Sequence, residues 1–323
     1  ALYQLTYDQE YGSTNVYDHN NDFTRFYCIP TAFGAIQLAG YQLEIGRWSD
    51  GDFMPSKYLI DVFRYSDNTL DPRYHMSFQT SWTSNVNYSW GQDAIVQYDR
   101  SSNTIKPGDR LPAGNLAIKF SRPEEEEYAK DKTSKLSQNY LWVDYNDLYG
   151  ADNKVKMKYT RVNQQPSTVD NPFISFYPSL TKFNSGSLKN PRTNRYTSDA
   201  YATVMRFAEV YLIAAEAEFY LHGASAKSAE YVNVLRDRVQ GKRVATTDIT
   251  LQFLIDERAR ELCGEYGRWY DLKRAGLLNR TYLMQKNPDV GQYFVDGVHQ
   301  VRPIPQGQID AISNPDGFQN NGY

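Results

Sequence analysis

Between Ser81 and Asp93 the chain reads SWTSNVNYSWGQD, which sets three aromatic side chains, Trp82, Tyr88 and Trp90, within nine residues. The amides Asn85, Asn87 and Gln92 are interleaved with them. A sugar offers C–H faces that pack on aromatic rings and hydroxyls that amides hydrogen-bond, so a saccharide pocket needs both kinds of group. Trp82, Asn87, Tyr88 and Trp90 are therefore the expected ligand-binding residues. Tyr65, Tyr74 and the stretch LWVDYNDLYG (Leu141 to Gly150) follow on the same argument. The competing explanation for any single ring is that it plugs the core of its own lobe.

Residues for bond-breaking chemistry are harder to find. Glu124 to Glu127 form a run of four carboxylates followed by Lys130 and Lys132. Paired acids suggest glycoside hydrolysis. These, however, are neighbours that repel, in a stretch that reads as solvated, with no visible partner to separate their pKa values; a solvated loop is expected. No acidic spacing matches a calcium loop. The four histidines, His19, His75, His222 and His299, are scattered, so neither a zinc site nor a nucleophile–histidine arrangement is supported. No glycine-rich phosphate loop is present. The expectation is a binding protein with no cofactor, no metal and no catalysis.

The elements that must position these residues divide the chain at about residue 202. From Thr203 the apolar period is helical: Val204, Phe207, Ala208, Tyr211, Leu212, Ala215 and Phe219 form one face, closed by Gly223. A second helix is expected over 226–240, with Ala229, Val232, Leu235 and Val239 inward and Gly241 as its stop. Thr247 or Asp248 should cap a third, whose inward positions are Leu251, Leu254, Ile255, Ala259, Leu262, Cys263 and Tyr266. Gly267 breaks it, and a fourth runs over 268–278 with Trp269 and Leu272 inward. Arg258 falls on the inward stripe and should meet a carboxylate such as Glu216, while Asp256 and Arg260 are spaced to support each other. The Pro-, Asn- and Gly-rich tail from Val301 reads as non-helical. Two such hairpins resemble tetratricopeptide units, which need about three or more for stability. Either the first 200 residues pack over them or upstream sequence completes the stack.

Residues 1–202 read as a loop-rich aromatic lobe. Short helices are expected at Phe33 to Leu43 and Ser56 to Phe63, and strands at Ala94 to Tyr98, Leu116 to Phe120 and Val155 to Arg161. Turn signals such as Pro107-Gly108-Asp109 fill the rest. The abundance of aromatics argues against disorder.

RFAEVYLIAAEA, DERARELCGEYGRWYDLKRAG and the tail elements RPIPQGQI, NP and QNNGY resemble the SusD/RagB family of outer-membrane nutrient-binding lipoproteins. Pro55-Ser56, the Asp71-Pro72-Arg73 triplet and SLTKF at Ser179 to Phe183 agree; Asn321, where Pro is usual, and Cys263 depart from the pattern. The resemblance implies a mainly α fold of tetratricopeptide-like helix hairpins packed against a large loop-rich lobe with a few short strands. It also implies capture of a glycan at the cell surface and delivery to a SusC-like TonB-dependent transporter. Because family members begin with a lipoprotein signal and further hairpins, the chain is expected to be the C-terminal part of a longer polypeptide whose lipid anchor lies outside it.

Composition narrows the alternatives. With 323 residues, 41% of them hydrophobic, 23% charged and a net charge of −3, nothing electrostatic favours nucleic acid. The most apolar stretch, Val210 to Ala215, is far short of the roughly 20 residues a membrane span needs. Cys28 and Cys263 offer no disulfide framework, and Cys263 on a helical stripe reads as a buried inert thiol. A tetratricopeptide-type protein–protein scaffold is the main alternative to glycan capture, with a glycosidase third.

Overall fold

The computed structural model describes residues 3–5, 27, 53–84, 87–90, 108–134, 140–155, 177–183, 188–189, 196–197, 202–265, 267–314, 317, 320 and 322. The expected elements at Phe33 to Leu43 and Ala94 to Tyr98, most of Val155 to Arg161, and Cys28 and Tyr266 lie outside them. Among the described residues there are eleven α-helical segments and eleven short strands.

The lobe is built on a three-stranded sheet. β3 (Ser81–Thr83) pairs antiparallel with β6 (Leu116–Ser121), which pairs parallel with β7 (Leu141–Asp144). Helix α3 (Tyr128–Ser134) occupies the crossover that a parallel pair requires. β4 (Tyr88–Ser89) pairs with β5 (Arg110–Leu111), β2 (Phe78–Gln79) with β8 (Ser179–Leu180), and β9 (Leu188–Lys189) with β10 (Tyr196–Thr197). β1 (Tyr3–Leu5) pairs with β11 (Ala202–Met205). Three short helices, α1 (Lys57–Asp61), α2 (Arg73–Ser77) and α4 (Tyr145–Leu148), complete the lobe. The Ser56 hydroxyl caps α1 by accepting from the Leu59 amide at 3.3 Å.

The second part is helical. α5 (Phe207–His222) and α6 (Ala226–Arg238) pack side by side, and α7 (Leu251–Glu261) packs on α5. Small residues let the first two approach: Ala215 and Ala229 are buried between them, and the Ser228 hydroxyl donates to the Ala215 carbonyl at 2.8 Å. α8 (Arg268–Arg274), α9 (Arg280–Lys286), α10 (Pro288–Gly291) and α11 (Gln306–Asp310) follow.

Four expectations about these helices need correction. Val204 is not on α5 but on strand β11, because Arg206 is extended and only Phe207 starts the helix. Phe207 then faces outward, and the buried face is Ala208, Leu212, Ala215 and Glu216. The cap of α7 is Thr250, whose hydroxyl accepts from the Phe253 amide at 3.1 Å; Thr246–Asp248 is a separate 3₁₀ turn. The tail does contain a helix, α11, begun by Pro305 at its N-cap, where the missing amide hydrogen does no harm.

One core spans both parts. Phe63, Tyr74, Phe78, Trp82, Trp90 and Phe120 of the lobe pack in the same cluster as Ala259 and Cys263 at the C-terminal end of α7. Beside that cluster lies a buried ionic network. Arg73, 4% exposed, donates to Asp71 at 2.6 Å, to Glu257 at 2.8 Å and to Glu261 at 3.0 Å. Glu257 also accepts from Arg236 at 2.6 Å and Arg260 at 2.7 Å. Arg260 and Arg122 reach the carbonyls of Val62 and Ile60 at the end of α1, satisfying acceptors a helix end leaves open. The Asp71-Pro72-Arg73 triplet is thus the joint between lobe and helices.

Candidate functional site

Strand β3 alternates exposed, buried, exposed, and Trp82 takes the inward slot, 1% accessible. Trp90 is equally buried: its backbone is held on both sides, its amide donating to Asp109 and its carbonyl accepting from Gly108. Tyr74 is fully buried between Phe63, Phe78 and the Arg122 guanidinium, which lies 5.0 Å from its ring centre. These three rings are core plugs and are corrected as ligand platforms. A ring with no accessible face cannot stack on a sugar, and apolar burial outweighs the unbonded indole N–H groups of both tryptophans.

The other three expected residues stay accessible. Asn87 is exposed, and its side-chain oxygen accepts from the Ala113 amide at 3.0 Å. Tyr88 is half-buried, edge-on to Trp90 at 5.8 Å, so Trp90 supports a neighbour that remains reachable. Tyr65 is half-buried at the joint with the helices; its hydroxyl accepts from the Lys242 amide at 3.3 Å, and Arg236 and Lys242 lie over its ring. In the LWVDYNDLYG stretch the aromatics turn inward. Trp142 donates to the Ser121 hydroxyl at 2.6 Å, Tyr149 to the Pro55 carbonyl at 2.8 Å, and Tyr145 to Asp61.

The acidic run is not a plain solvated loop. Glu124 is clamped by Arg122 at 2.7 Å and Arg64 at 2.9 Å; burial works against its charge, but the two guanidiniums hold its carboxyl below the usual range. Among the described residues the Glu125 carboxylate accepts from the Arg122 amide at 2.7 Å, and burial pushes this carboxyl up to about 7. His75 lies 3.9 Å from it, pushed down by burial and by Arg122. Glu127 is exposed and bound to Lys119 at 2.6 Å. Two adjacent acids therefore titrate apart, which the spacing alone did not reveal. Their partners are structural arginines and backbone, and among the described residues no nucleophile–base pair accompanies them.

On the helices Arg258 does meet a carboxylate, but it is Asp271 at 2.7 Å, with Glu209 at 3.5 Å. Glu216 is taken by Arg274. Asp256 and Arg260 do not support each other: Asp256 accepts from the Tyr58 hydroxyl at 2.5 Å and Gln252 at 2.6 Å, while Arg260 turns to Glu257. Cys263 is a buried free thiol that burial pushes up. Among the described residues no group of acids, histidines and cysteines is placed to hold a metal, and no helix is long and apolar enough to cross a membrane. Tyr58, Tyr282 and Lys286, which sequence reasoning passed over, gather with Arg258 around a cavity of about 360 Å³. The only signal for it was Arg258 on an apolar stripe.

The profile of the SusD family (SusD_RagB) matches residues 4–323. Among curated proteins, "SusD-like protein P2" of Formosa agariphila is 36% identical over 165 residues, covering 46% of this chain and 31% of its own length. "SusD-like protein P25" of the same organism is 31% identical over 180 residues, covering 48% and 31%. The chain thus spans about a third of the length of these relatives. Among solved structures, surface glycan-binding protein A from Bacteroides thetaiotaomicron in complex with laminarihexaose is 23% identical, with a TM-score of 0.36 over 52% of this chain and 33% of that one. Surface glycan-binding protein A from Bacteroides uniformis is 18% identical, with a TM-score of 0.34 over 79% and 53%.

Proposed function

Because the chain belongs to the SusD family, we propose that it binds a glycan at the cell surface and passes it to a SusC-like TonB-dependent transporter, without catalysis. The observation that carries this reading is the family match over residues 4–323. In it, residues 1–202 form the ligand-facing lobe, and the helix pairs α5–α6 and α7–α8 form tetratricopeptide-like hairpins that support it. Asn87 and Tyr88 are the proposed contacts, with Tyr65 at the joint. The polypeptide is held at the outer-membrane surface by a lipid anchor.

The test is retention by polysaccharides in native affinity gels, with laminarihexaose among the soluble probes and reducing sugar measured after incubation. Retention by one polysaccharide, weakened in Tyr88→Ala and Asn87→Ala without release of reducing ends, supports capture. Indifference to the whole panel removes it, and steady release of reducing ends makes the protein a glycosidase.

A polypeptide-binding scaffold is a second reading, favoured by one observation. Along α5, Phe207, Val210, Ile213 and Leu221 are exposed, an apolar stripe that water does not favour. Association with a purified SusC-like transporter that Leu221→Glu abolishes, together with indifference to every polysaccharide, would single out that reading.

A further inference from the structure

The cavity lies between α1 on one side and α7, α8 and α9 on the other. Its charged groups are unequally committed. Arg268 donates to the Ile255 carbonyl and the Tyr58 hydroxyl, both at 2.9 Å. Glu265 is bound by Arg206 and Lys182, and Asp271 by Arg258 and Arg274. What remains uncommitted is positive. Arg258, 3% exposed, spends Nη2 on Asp271, while its Nε and Nη1 have no hydrogen-bond partner. Buried donors in that state are costly and rare in folded proteins. Lys286 lies with its ammonium 5.1 Å from the Tyr58 ring centre and 5.8 Å from that of Tyr282. It has no hydrogen bond or ion pair among the described residues.

We propose that this cavity binds a carboxylate-bearing sugar residue, a uronate. Arg258 turns unbonded Nη1 donors away from Asp271, and a carboxylate is the charged acceptor that makes the strongest hydrogen bonds to a guanidinium. Lys286 adds positive field on the adjoining wall. The Tyr58 ring is covered by Arg268 and Lys286, at 5.5 and 5.1 Å from its centre, which leaves the side chains of Leu59, Leu283 and Tyr282 for the C–H faces of a pyranose ring. A volume of about 360 Å³ falls in the range of small-molecule sites. This assignment is independent of Asn87 and Tyr88, so either site can fail without the other.

Calorimetric titration tests it, with digalacturonate and trigalacturonate against their neutral galactose counterparts, sodium acetate, and a glutamate-rich hexapeptide. The oligouronates should bind and the neutral sugars should not. Lys286→Met, which sits at the partly exposed edge, and Arg258→Lys should each weaken uronate binding about tenfold or more. Retention of neutral polysaccharide should be unchanged. If Arg258→Lys unfolds, Lys286→Met alone decides. Absence of uronate binding, or equal affinity in Lys286→Met, overturns the proposal. So does equal binding of acetate. Binding of the peptide without the sugars would show that the acid is supplied by polypeptide, and would overturn it as well.

Discussion

Replacing Glu257 by Gln strikes the centre of the network that joins lobe and helices. Glu257 is fully buried. Its Oε1 accepts from Arg73 at 2.8 Å, and its Oε2 accepts from Arg236 at 2.6 and 3.2 Å and from Arg260 at 2.7 and 3.0 Å. Glutamine is the same size but carries no charge, and it turns an N–H₂ toward guanidinium donors on one side. Arg236 and Arg260 then stay buried without the carboxylate that compensates them, while Arg73 keeps Asp71 and Glu261. Removing one partner of a buried ion pair costs about 3–5 kcal/mol. That is a large share of a typical total stability of about 5–15 kcal/mol. At about 2–4 °C per kcal/mol the midpoint of thermal unfolding, followed by circular dichroism, should fall by about 10 °C. Acid provides a second readout. Burial alone would raise this carboxyl, but Arg260, Arg73 and Arg236 outweigh it and hold it far below the ordinary range. Such a depressed group gives stability that is present above its unfolded value of 4.5 and is lost as pH falls toward the folded value. The native protein should therefore weaken below that pH more steeply than the variant. A midpoint shift of less than about 2 °C, or parallel acid profiles, would refute the reasoning.

Three further outcomes follow from other residues. Glu125 is pushed up to about 7 by burial, so its contribution is present below 4.5 and fades as pH rises through about 7; Glu125→Gln should be more stable than the native protein at pH 8 by about 1–3 kcal/mol, and a flat difference across urea titrations at pH 5 and pH 8 would contradict this. Trp82→Ala should lose about 3–5 kcal/mol in urea unfolding, as core tryptophans do. If instead it keeps its stability and loses only polysaccharide retention, the ring faces the ligand after all. Gly264 has φ +77°, and an added Cβ would lie 2.2 Å from the buried Leu180 side chain, so Gly264→Ala should lower stability by about 1–3 kcal/mol in the same assay.

The helical part was the more readable. Ala229, Val232 and Leu235 on α6, and Leu254, Ile255 and Ala259 on α7, are buried where the helical period put them. A period of 3.6 needs no knowledge of distant partners. Helix starts were less readable, because a strand with an apolar residue such as Val204 looks the same as a helical first turn until its partner β1 is known. The aromatic segment failed for a related reason. Trp82, between Ser81 and Thr83, and Tyr88, between Asn87 and Ser89, both have polar neighbours, and only the pleat of β3 and the pairing of β4 with β5 decide which ring turns in. Ion pairs were the least readable: Arg73 and Glu257 are 184 positions apart, and no local rule joins them.

That separation bears on how the protein is made. While a ribosome is still extending the chain, Arg73 has only Asp71 for company, and the aromatic cluster lacks the α7 residues that cover it. At synthesis rates of about 5–20 residues per second, some 10–40 s pass before Glu257 emerges. Through that interval the growing polypeptide holds a half-closed, ring-rich surface, which is where a holdase chaperone would be expected to grip it.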